Sequence, residues 1–201
     1  GYISSIKIVG DNYTLDEDSN NIAHGGGIYI ASGNLTLEDT EVSYNRGYQG
    51  AGVKCYSDND GNVTLKHATI KGNAGNVSSW HNFGGGVVIK NFTLNCDTST
   101  EASIIEENYS GDGGALFLEN TTSILTNITI QNNSYNPNGY HYGSELLLWA
   151  NANVSIASSD VTIKSAGGET RGIFMNNNNN TLNLSGDAKL DTPIYLTNKA
   201  M

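Results

Sequence analysis

The stretch HGGGIYIASGNLTLEDTEVSYN, residues 24–45, decides the fold. Three glycines open it, and residues 28–30 and 35–37 then alternate between apolar and polar side chains. It closes on the segment Val42-Ser43-Tyr44-Asn45. Residue-by-residue alternation is typical of β-strands with one buried face. A short stretch that opens with glycine, continues with strands and ends with asparagine predicts a unit that recurs along the chain.

The unit does recur. Opening glycines stand at positions 25, 50, 84, 113 and 143, which gives periods of 25, 34, 29 and 30 residues, and a degenerate copy follows at 171–175. Each of the first four units also closes on an asparagine that follows an apolar residue by three positions. The closing asparagines are Asn45, Asn73, Asn108 and Asn133. A period between 20 and 50 residues predicts a solenoid, a propeller or an array.

Three short strands per period favour a parallel β-helix over the alternatives. A propeller blade needs four antiparallel strands with regularly placed hairpin turns, which this sequence lacks. We therefore predict an all-β, right-handed parallel β-helix, a single-stranded solenoid of about six coils with three short strands each. Residues 1–23 are predicted to form a partial N-terminal coil. Residues 24–201 form the repeats, as one domain that we interpret as a fragment of a longer protein.

The two recurring devices have structural interpretations. Glycine suits the corner before the first strand because tight turns and close coil-to-coil contact exclude a side chain. Asparagine tolerates the left-handed backbone conformation, and stacked amides can hydrogen-bond from coil to coil. The four closing asparagines are therefore predicted to form a structural ladder along one edge.

The repeat resembles that of polymorphic outer-membrane proteins and related bacterial surface adhesins. The resemblance lies in Gly-Gly-(Ala or Gly)-apolar followed some 20 residues later by apolar-x-x-Asn, and it covers residues 24–142 best. The chain departs from that pattern where Val42, Ile70, Ile105 and Ile130 replace the usual phenylalanine. The tail SGDAKLDTPIYLTN, residues 185–198, resembles β-helix repeats of large Gram-positive surface proteins. The resemblance implies a β-helix segment of a secreted, surface-displayed protein.

Composition limits the possible partners. Ten Lys and Arg against 20 Asp and Glu give a net charge of −10, which argues against nucleic acid and against anionic membranes. The longest apolar run, residues 146–150, is far shorter than the roughly 20 residues of a spanning helix. We therefore expect neither a nucleic-acid partner nor direct membrane insertion.

A carbohydrate-active enzyme is the main alternative, because β-helices also carry polysaccharide lyases and glycoside hydrolases. Glycoside hydrolysis needs two carboxylates at a defined separation. The densest acids near a strand end are Glu106, Glu107 and Asp112, without an adjacent His or basic partner in sequence. They are interpreted as surface charge, and the chain is predicted not to be an enzyme.

Neither a metal nor another cofactor is predicted. The histidines at 24, 67, 81 and 141 lack metal-ligand spacing. Residues 57–62, SDNDGN, have their glycine two positions too early for a Ca²⁺ loop and are interpreted as a turn. Cys55 and Cys96 are either buried free thiols or a disulfide.

A flat threonine array would indicate ice binding. Thr36, Thr64 and Thr93 begin such a row, but Ile124 interrupts it in the next coil. We therefore regard an ice-binding face as a weak alternative.

Ligand contacts are expected where coils differ in length, between a closing asparagine and the next glycine. Solenoids place such insertions on one face, and Tyr and Trp are common interface anchors. The alternative is that these aromatic side chains seal the corner of the core. The candidate ligand-binding residues are Tyr48, Trp80, His81, Tyr109, Tyr135, Tyr140 and Tyr142, with His141 beside them.

Alternation in the first strand of each coil predicts a second surface. Inward Ile28 and Ile30 place Tyr29 outward, and the same register places Lys54 outward. The predicted interaction face is Tyr29, Val88, Phe117, Leu147 and Phe174. Such an apolar stripe either packs against a partner or a neighbouring domain of the longer chain, or lies beneath a loop such as residues 134–142, or is a tolerated scatter of exposed apolar residues.

The sequence thus predicts a non-catalytic segment of a secreted, cell-surface adhesin or stalk, with a glycan or a host or cell-surface protein as ligand through the aromatic edge. The carbohydrate-active enzyme stays the alternative.

Overall fold

The computed structural model describes residues 2–4, 7–9, 26–75, 82–99, 101–111, 113–136, 142–156, 159–167, 171–176 and 179–197. In this part of the chain the regular elements are all β-strands, and they pair in parallel. They stack into a β-solenoid of about five turns. The predicted all-β parallel solenoid is confirmed, and the expected six coils are close to the observed number.

A twelve-stranded sheet carries the first and the middle strand of each coil. In β7 and β10 these two strands run on as one element, although Asn91 within β10 has φ of 60° and marks the corner there. In the other coils the two strands are separate elements. The members are β1 (Tyr2–Ser4), β3 (Ile28–Ile30), β4 (Gly33–Glu38), β7 (Val53–Lys66), β10 (Val87–Cys96), β13 (Leu116–Glu119), β14 (Thr121–Leu125), β17 (Leu146–Leu148), β18 (Ala152–Ile156), β20 (Ile173–Met175), β21 (Thr181–Leu184) and β23 (Ile194–Leu196).

Two further sheets complete the coils. The third strands form a seven-stranded sheet of β2 (Lys7–Val9), β5 (Glu41–Ser43), β8 (Thr69–Lys71), β11 (Ser103–Glu106), β15 (Ile128–Gln131), β19 (Val161–Lys164) and β22 (Lys189–Asp191). Four two-residue strands form a short sheet before the chain returns to the next coil. They are β6 (Arg46–Gly47), β9 (Ala74–Gly75), β12 (Tyr109–Ser110) and β16 (Ser134–Tyr135).

The coils turn at residues with positive φ. Glycine serves at the corner before the first strand, where Gly50, Gly84 and Gly143 have φ of 58°, 63° and 87°. After the third strand, the residue with positive φ is the one that precedes the closing asparagine. These residues are Tyr44, Gly72, Glu107 and Asn132.

The expectation that the closing asparagines themselves are left-handed is therefore wrong. Asn45, Asn73, Asn108 and Asn133 do not have positive φ. The preceding residue makes the turn, and the asparagine side chain is then buried within the stack, where it can reach the neighbouring coil.

The four closing asparagines form a continuous buried column. Asn73 Oδ1 accepts hydrogen bonds from the backbone N and the Nδ2 of Asn45, both at 3.0 Å. Asn108 Oδ1 accepts the same two bonds from Asn73 at 3.0 Å, and Asn133 Oδ1 accepts them from Asn108 at 2.9 and 3.0 Å. Each Nδ2 also donates to a backbone carbonyl, as Asn73 does to Val42 O at 2.9 Å. An amide has two donors and an acceptor oxygen, so one side chain can bond several backbone and side-chain partners.

Glycine opens the coils partly because this column needs the space. A Cβ on Gly27 would lie 3.0 Å from Asn45 Nδ2, and one on Gly52 would lie 2.9 Å from Asn73 Nδ2. These contacts are tighter than most real Cβ contacts. The opening glycine and the closing asparagine are thus two halves of one packing arrangement.

Glu145 ends the asparagine column. It is fully buried, and its Oε2 and Oε1 accept bonds from Nδ2 and backbone N of Asn133 at 2.6 and 3.3 Å. In the following coils hydroxyl groups, rather than amides, form the coil-to-coil hydrogen bond at this corner. Ser165 Oγ lies 2.6 Å from Thr192 Oγ1. The glutamate side chain is longer than a serine or threonine side chain, so it can reach the Asn133 amide.

Columns of aliphatic side chains fill the inside of the solenoid. The third strands contribute Val42, Ile70, Ile105, Ile130 and Ile163, which are all 0% exposed. Such burial is the main favourable contribution to the free energy of folding. The core is narrow, which agrees with an apolar fraction of only 37%.

The two cysteines belong to these columns. Cys55 pairs in register with Ile30 and Ile89, and Cys96 pairs with Leu65. Both are free buried thiols, which resolves the open choice between thiols and a disulfide. Burial raises the pKa of each thiol to about 12.

Replacing Asn73 with Leu should lower the free energy of unfolding by on the order of 3 kcal/mol, because two donors of Asn45 lose their acceptor and each unsatisfied buried group costs about 1–3 kcal/mol. Chemical denaturation measures the change. Asn153→Leu, on the exposed side of β18, is the control and should change stability little. Equal stability of Asn73→Leu and wild type would show that the column contributes nothing.

Replacing Glu145 with Gln should lower the free energy of unfolding by about 1–3 kcal/mol. Asn133 donates hydrogen bonds to both carboxylate oxygens of Glu145, and glutamine keeps only one of these oxygens as an acceptor. Denaturant titration checks this against Glu101→Gln, whose side chain is 86% exposed. A Glu145→Gln protein as stable as Glu101→Gln would contradict the role assigned to this carboxyl group.

Candidate functional site

The predicted aromatic edge lies along the short four-stranded sheet. Tyr109 in β12 pairs with Ser134 of β16, and Tyr135 pairs with Ser110, so the two tyrosines stand on adjacent coils. Tyr48, Tyr109 and Tyr135 are each half-buried. Burial raises the pKa of Tyr109 above its usual value. Trp80, His81, Tyr140 and His141 lie outside the described residues.

Tyr142 has a different role from the other predicted aromatic residues. Its ring contacts Phe83, Trp149 and Phe174, with centroid distances of 5.9, 5.5 and 5.0 Å. These rings belong to a second apolar cluster on the outside of the solenoid. Tyr142 therefore covers this cluster, which is the structural role that the sequence left open for aromatic side chains at the corner.

The predicted interaction face needs a correction. Val88, Phe117, Leu147 and Phe174 pair in register on adjacent first strands, and they form a cluster separate from the inner core, as the alternation predicted. However, they are only 2, 4, 1 and 1% exposed, respectively. An open stripe is therefore wrong for these four residues. Tyr29, at 49% exposure, is the member of the predicted face that lies on the surface.

Aromatic rings from neighbouring segments cover the face. Phe83 stacks on Phe117 at a centroid distance of 5.0 Å and contacts Trp149 at 5.0 Å. Phe174 stacks on Tyr195, which lies in β23, the first strand of the last coil, at a ring-centroid distance of 5.3 Å. Large rings can bury a whole column of side chains that alternation alone places outward.

A pair of lysines borders this outer cluster. Lys54 is 3% exposed, donates to Gln49 Oε1 at 3.0 Å and lies 4.8 Å from the Tyr56 ring centroid. Lys90 lies 4.6 Å from the same centroid and bonds the Tyr56 hydroxyl at 2.9 Å. Burial and the charge of Lys90 lower the pKa of Lys54 to about 8. A cavity of about 100 Å³ lies between Tyr56, Phe83, Phe117 and Trp149, which are among its lining residues.

Several surface carboxylates are paired with cations on neighbouring coils. Glu106 lies 3.4 Å from Lys71 Nζ and accepts from Gln131 Nε2 at 2.9 Å, while Glu107 lies 3.6 Å from Lys71. Asp97 lies 3.3 Å from Lys66 Nζ, and hydrogen bonds from Ser99 are the main cause of its lowered pKa. Asp112, the third member of the predicted acidic cluster, lies outside the described residues. Half-exposed pairs like these add little stability individually.

The described residues include no candidate metal site. No group of three or more His, Cys, Asp or Glu residues there is placed to hold an ion. The segment 57–62 belongs to strand β7, so the interpretation as a turn is wrong. Residues 57–60 face the single residue Asn91 of the neighbouring strand, so β7 is longer by three residues at this point.

An open polar trough crosses the middle strands on another side of the solenoid. Its volume is about 540 Å³, and side chains from five successive coils line it. Gly61, Phe92 and Thr121 contribute to the lining, and its other side chains carry amides, hydroxyls and one carboxyl group. These side chains belong to Asn34, Asp60, Asn62, Asn91, Thr93, Asn120, Thr122 and Asn151.

Strand register makes the outward rows of this side explicit. Asn34 pairs with Asn62, Asn62 with Thr93, and Thr122 with Asn153. Thr36 pairs with Thr64, which pairs with Asn95 rather than with Thr93. The predicted threonine row is therefore wrong at Thr93, which pairs with Asn62, two positions before Thr64. Ile124 pairs with Asn95 and interrupts this row, as expected.

A row of corner asparagines, three of which line the trough, is absent from the residues predicted from the sequence. Asn91, Asn120, Asn151 and Asn179 have φ of 60°, 49°, 48° and 57° and turn the chain between first and middle strand. The available signal was one asparagine per coil directly before the middle strand. Asparagine is the non-glycine residue best suited to this conformation.

No family model, curated protein or solved structure matches this chain. In the described residues, no helix is long and apolar enough to cross a membrane.

Replacing Phe117 with Asp should unfold the domain or lower its free energy of unfolding by several kcal/mol, because it buries an unpaired charge among aromatic rings. Phe117→Leu should cost far less, since Leu147 fills the next place in the same column. Ile124→Asp, at a position 55% exposed, is the matched control and should melt like the wild type. Thermal denaturation compares the three variants. Wild-type melting of Phe117→Asp would contradict the burial of this face.

Proposed function

We propose that the chain is a non-catalytic spacer and adhesive segment of a secreted, cell-surface-displayed protein. The observation that carries this proposal is the continuous stack of parallel coils linked by the buried asparagine column. In a solenoid each coil contacts only its neighbours, so the architecture forms an extended surface rather than a closed globule. Such surfaces suit contact with a large ligand over several coils.

The distribution of carboxylates supports binding over hydrolysis. Glu106, Glu119 and Asp97 lie within 3.4 Å of lysine ammonium groups on neighbouring coils. A glycosidase instead directs two carboxylates at the scissile bond, one of which is protonated to act as the acid. The trough presents one carboxyl group, Asp60, among its described lining.

The tyrosine edge supports adhesion. Tyr48, Tyr109 and Tyr135 expose part of their side chains beside the short sheet. Tyrosine combines an apolar ring with a hydroxyl and is common in interfaces with proteins and sugars. Trp80, His81 and Tyr140 stay candidates for the same contact, with a glycan or host protein as partner.

Surface labelling of cells that express the protein tests whether this segment is displayed on the cell surface. Antibody against this segment should bind intact cells, and brief protease treatment of those cells should remove the signal. Antibody against a known cytosolic protein is the control and should bind only after lysis. A signal from this segment that also requires lysis would contradict surface display.

Incubation with polysaccharides tests the lack of catalysis. The purified chain should release no reducing ends and no unsaturated products from neutral or acidic polysaccharides. Release of either product, abolished by Asp60→Asn, would favour the carbohydrate-active enzyme instead.

A further inference from the structure

We propose that the polar trough binds a linear, neutral glycan that lies along the solenoid axis, with successive sugar residues over successive coils. This inference rests on the proposed adhesive function and names a ligand class and a site for it. The site is distinct from the tyrosine edge, since the trough is lined by the middle strands and the corners before them.

The shape of the trough fits a chain molecule. Its lining begins with Asn34 in the first complete coil and ends with Asn151 four coils later. Coils follow one another at the strand spacing of about 4.8 Å, so the trough extends roughly 20 Å along the axis. With a volume of about 540 Å³, it is long and shallow rather than deep and closed. A linear oligosaccharide fits such a space better than a compact metabolite.

The lining has the chemistry that sugar hydroxyls require. Each hydroxyl both donates and accepts hydrogen bonds, and asparagine amides and threonine hydroxyls do the same. Asn62 donates from backbone N and Nδ2 to Asn34 Oδ1 at 3.1 Å, and Asn151 Nδ2 donates to Asn120 Oδ1 at 2.9 Å. An amide has two N–H groups and two lone pairs, so these bonds use part of its capacity. They also orient the side chains before a ligand arrives, which reduces the entropy cost of binding.

The corner asparagines provide an independent observation. Glycine makes the corner before the first strand at Gly50, Gly84 and Gly143, and it would serve equally well for the backbone at this corner. Four successive coils nevertheless place an asparagine with positive φ here, at positions 91, 120, 151 and 179. Residues in this conformation cluster at ligand sites when the side chain is needed. Gly33, with φ of 85°, stands at this corner in the first coil, so the corner itself requires no side chain. Asn91, Asn120 and Asn151 thus add amides to the lining of the trough that the backbone turn does not need.

The floor of the trough depends on close packing. A Cβ on Gly61 would collide with the Gly33 carbonyl oxygen and with the ring of Phe92. Phe92 is 1% exposed and supports the floor from within. Because Gly61 has no side chain, the lining residues of adjacent coils can lie close together.

Charge selects against acidic glycans. The chain carries a net charge of −10, and the one acid of the described lining is Asp60. Uronate-rich or sulfated chains would be repelled, because opposite charges favour and like charges oppose association. A carboxylate can instead accept hydrogen bonds from the hydroxyls of a neutral sugar.

Titration with defined oligosaccharides tests the proposal. The probes are cellohexaose, xylohexaose, mannohexaose and maltohexaose, with hexagalacturonate as the acidic comparison. Two-dimensional NMR should show shifts of the Asn120 and Asn151 side-chain amides with at least one neutral probe and none with hexagalacturonate. Affinity should rise with oligosaccharide length until the trough is filled.

Variants locate the site. Thr93→Val with Thr122→Val keeps the side-chain volume and strand preference but removes two hydroxyls, and it should weaken binding at least about tenfold. Asn120→Gly keeps the backbone conformation, removes the amide and should weaken binding similarly. Thr129→Val, which makes the same change on β15 of another sheet, should bind like the wild type.

The outcomes separate this inference from the proposed function. Failure of all four neutral probes to bind would overturn the trough proposal, and so would undiminished binding by the Thr93→Val, Thr122→Val protein. Binding lost in Tyr135→Ala but kept in the trough variants would assign the ligand to the tyrosine edge. Stronger binding of hexagalacturonate than of the neutral probes would overturn the choice of ligand. Surface labelling of cells is unaffected by any of these results.

Discussion

Coil-to-coil hydrogen bonding by buried asparagine amides is the constraint on which the rest of this structure depends. A narrow solenoid has corners where the backbone leaves its sheets, and buried polar groups at those corners need partners. Asn45, Asn73, Asn108 and Asn133 supply them through one repeated pattern, in which the oxygens of the last three each accept two bonds from the asparagine of the coil before. The glycines that open the coils fit the same packing, because a Cβ on Gly27 or Gly52 would press against the asparagine amide as well as against a backbone carbonyl of the next coil.

The solenoid has two apolar clusters with different origins. The inner one is filled by alternating residues of three strands per coil and is dictated by the repeat. The outer one forms where Phe83, Tyr142 and Trp149 cover Val88, Phe117, Leu147 and Phe174. It adds burial that a narrow tube cannot provide by itself. The same covering keeps from water a stripe of side chains that alternation alone would leave exposed.

The trough, which is the surface proposed to bind a ligand, is lined mainly by uncharged polar side chains. The trough combines amides and hydroxyls from five coils, whereas the carboxylates of Glu106, Glu119 and Asp97 are engaged with lysines elsewhere. A periodic scaffold repeats any side chain at nearly constant spacing, so it is suited to a ligand that is itself periodic. This correspondence links the fold to the proposed adhesive function and to a glycan lying along the axis.

The sequence by itself determined the repeat, the parallel solenoid, the inward columns and the asparagine edge, because these follow from period-two alternation and a recurring motif. Only the tertiary structure decided what lies over Phe117, since a ring such as Phe83 reaches it from a segment that alternation does not describe. The pairing register between neighbouring coils was the second feature that the sequence alone did not determine. Three additional residues in β7 place Thr93 beside Asn62, and only pairing between coils shows which polar side chains meet in the trough.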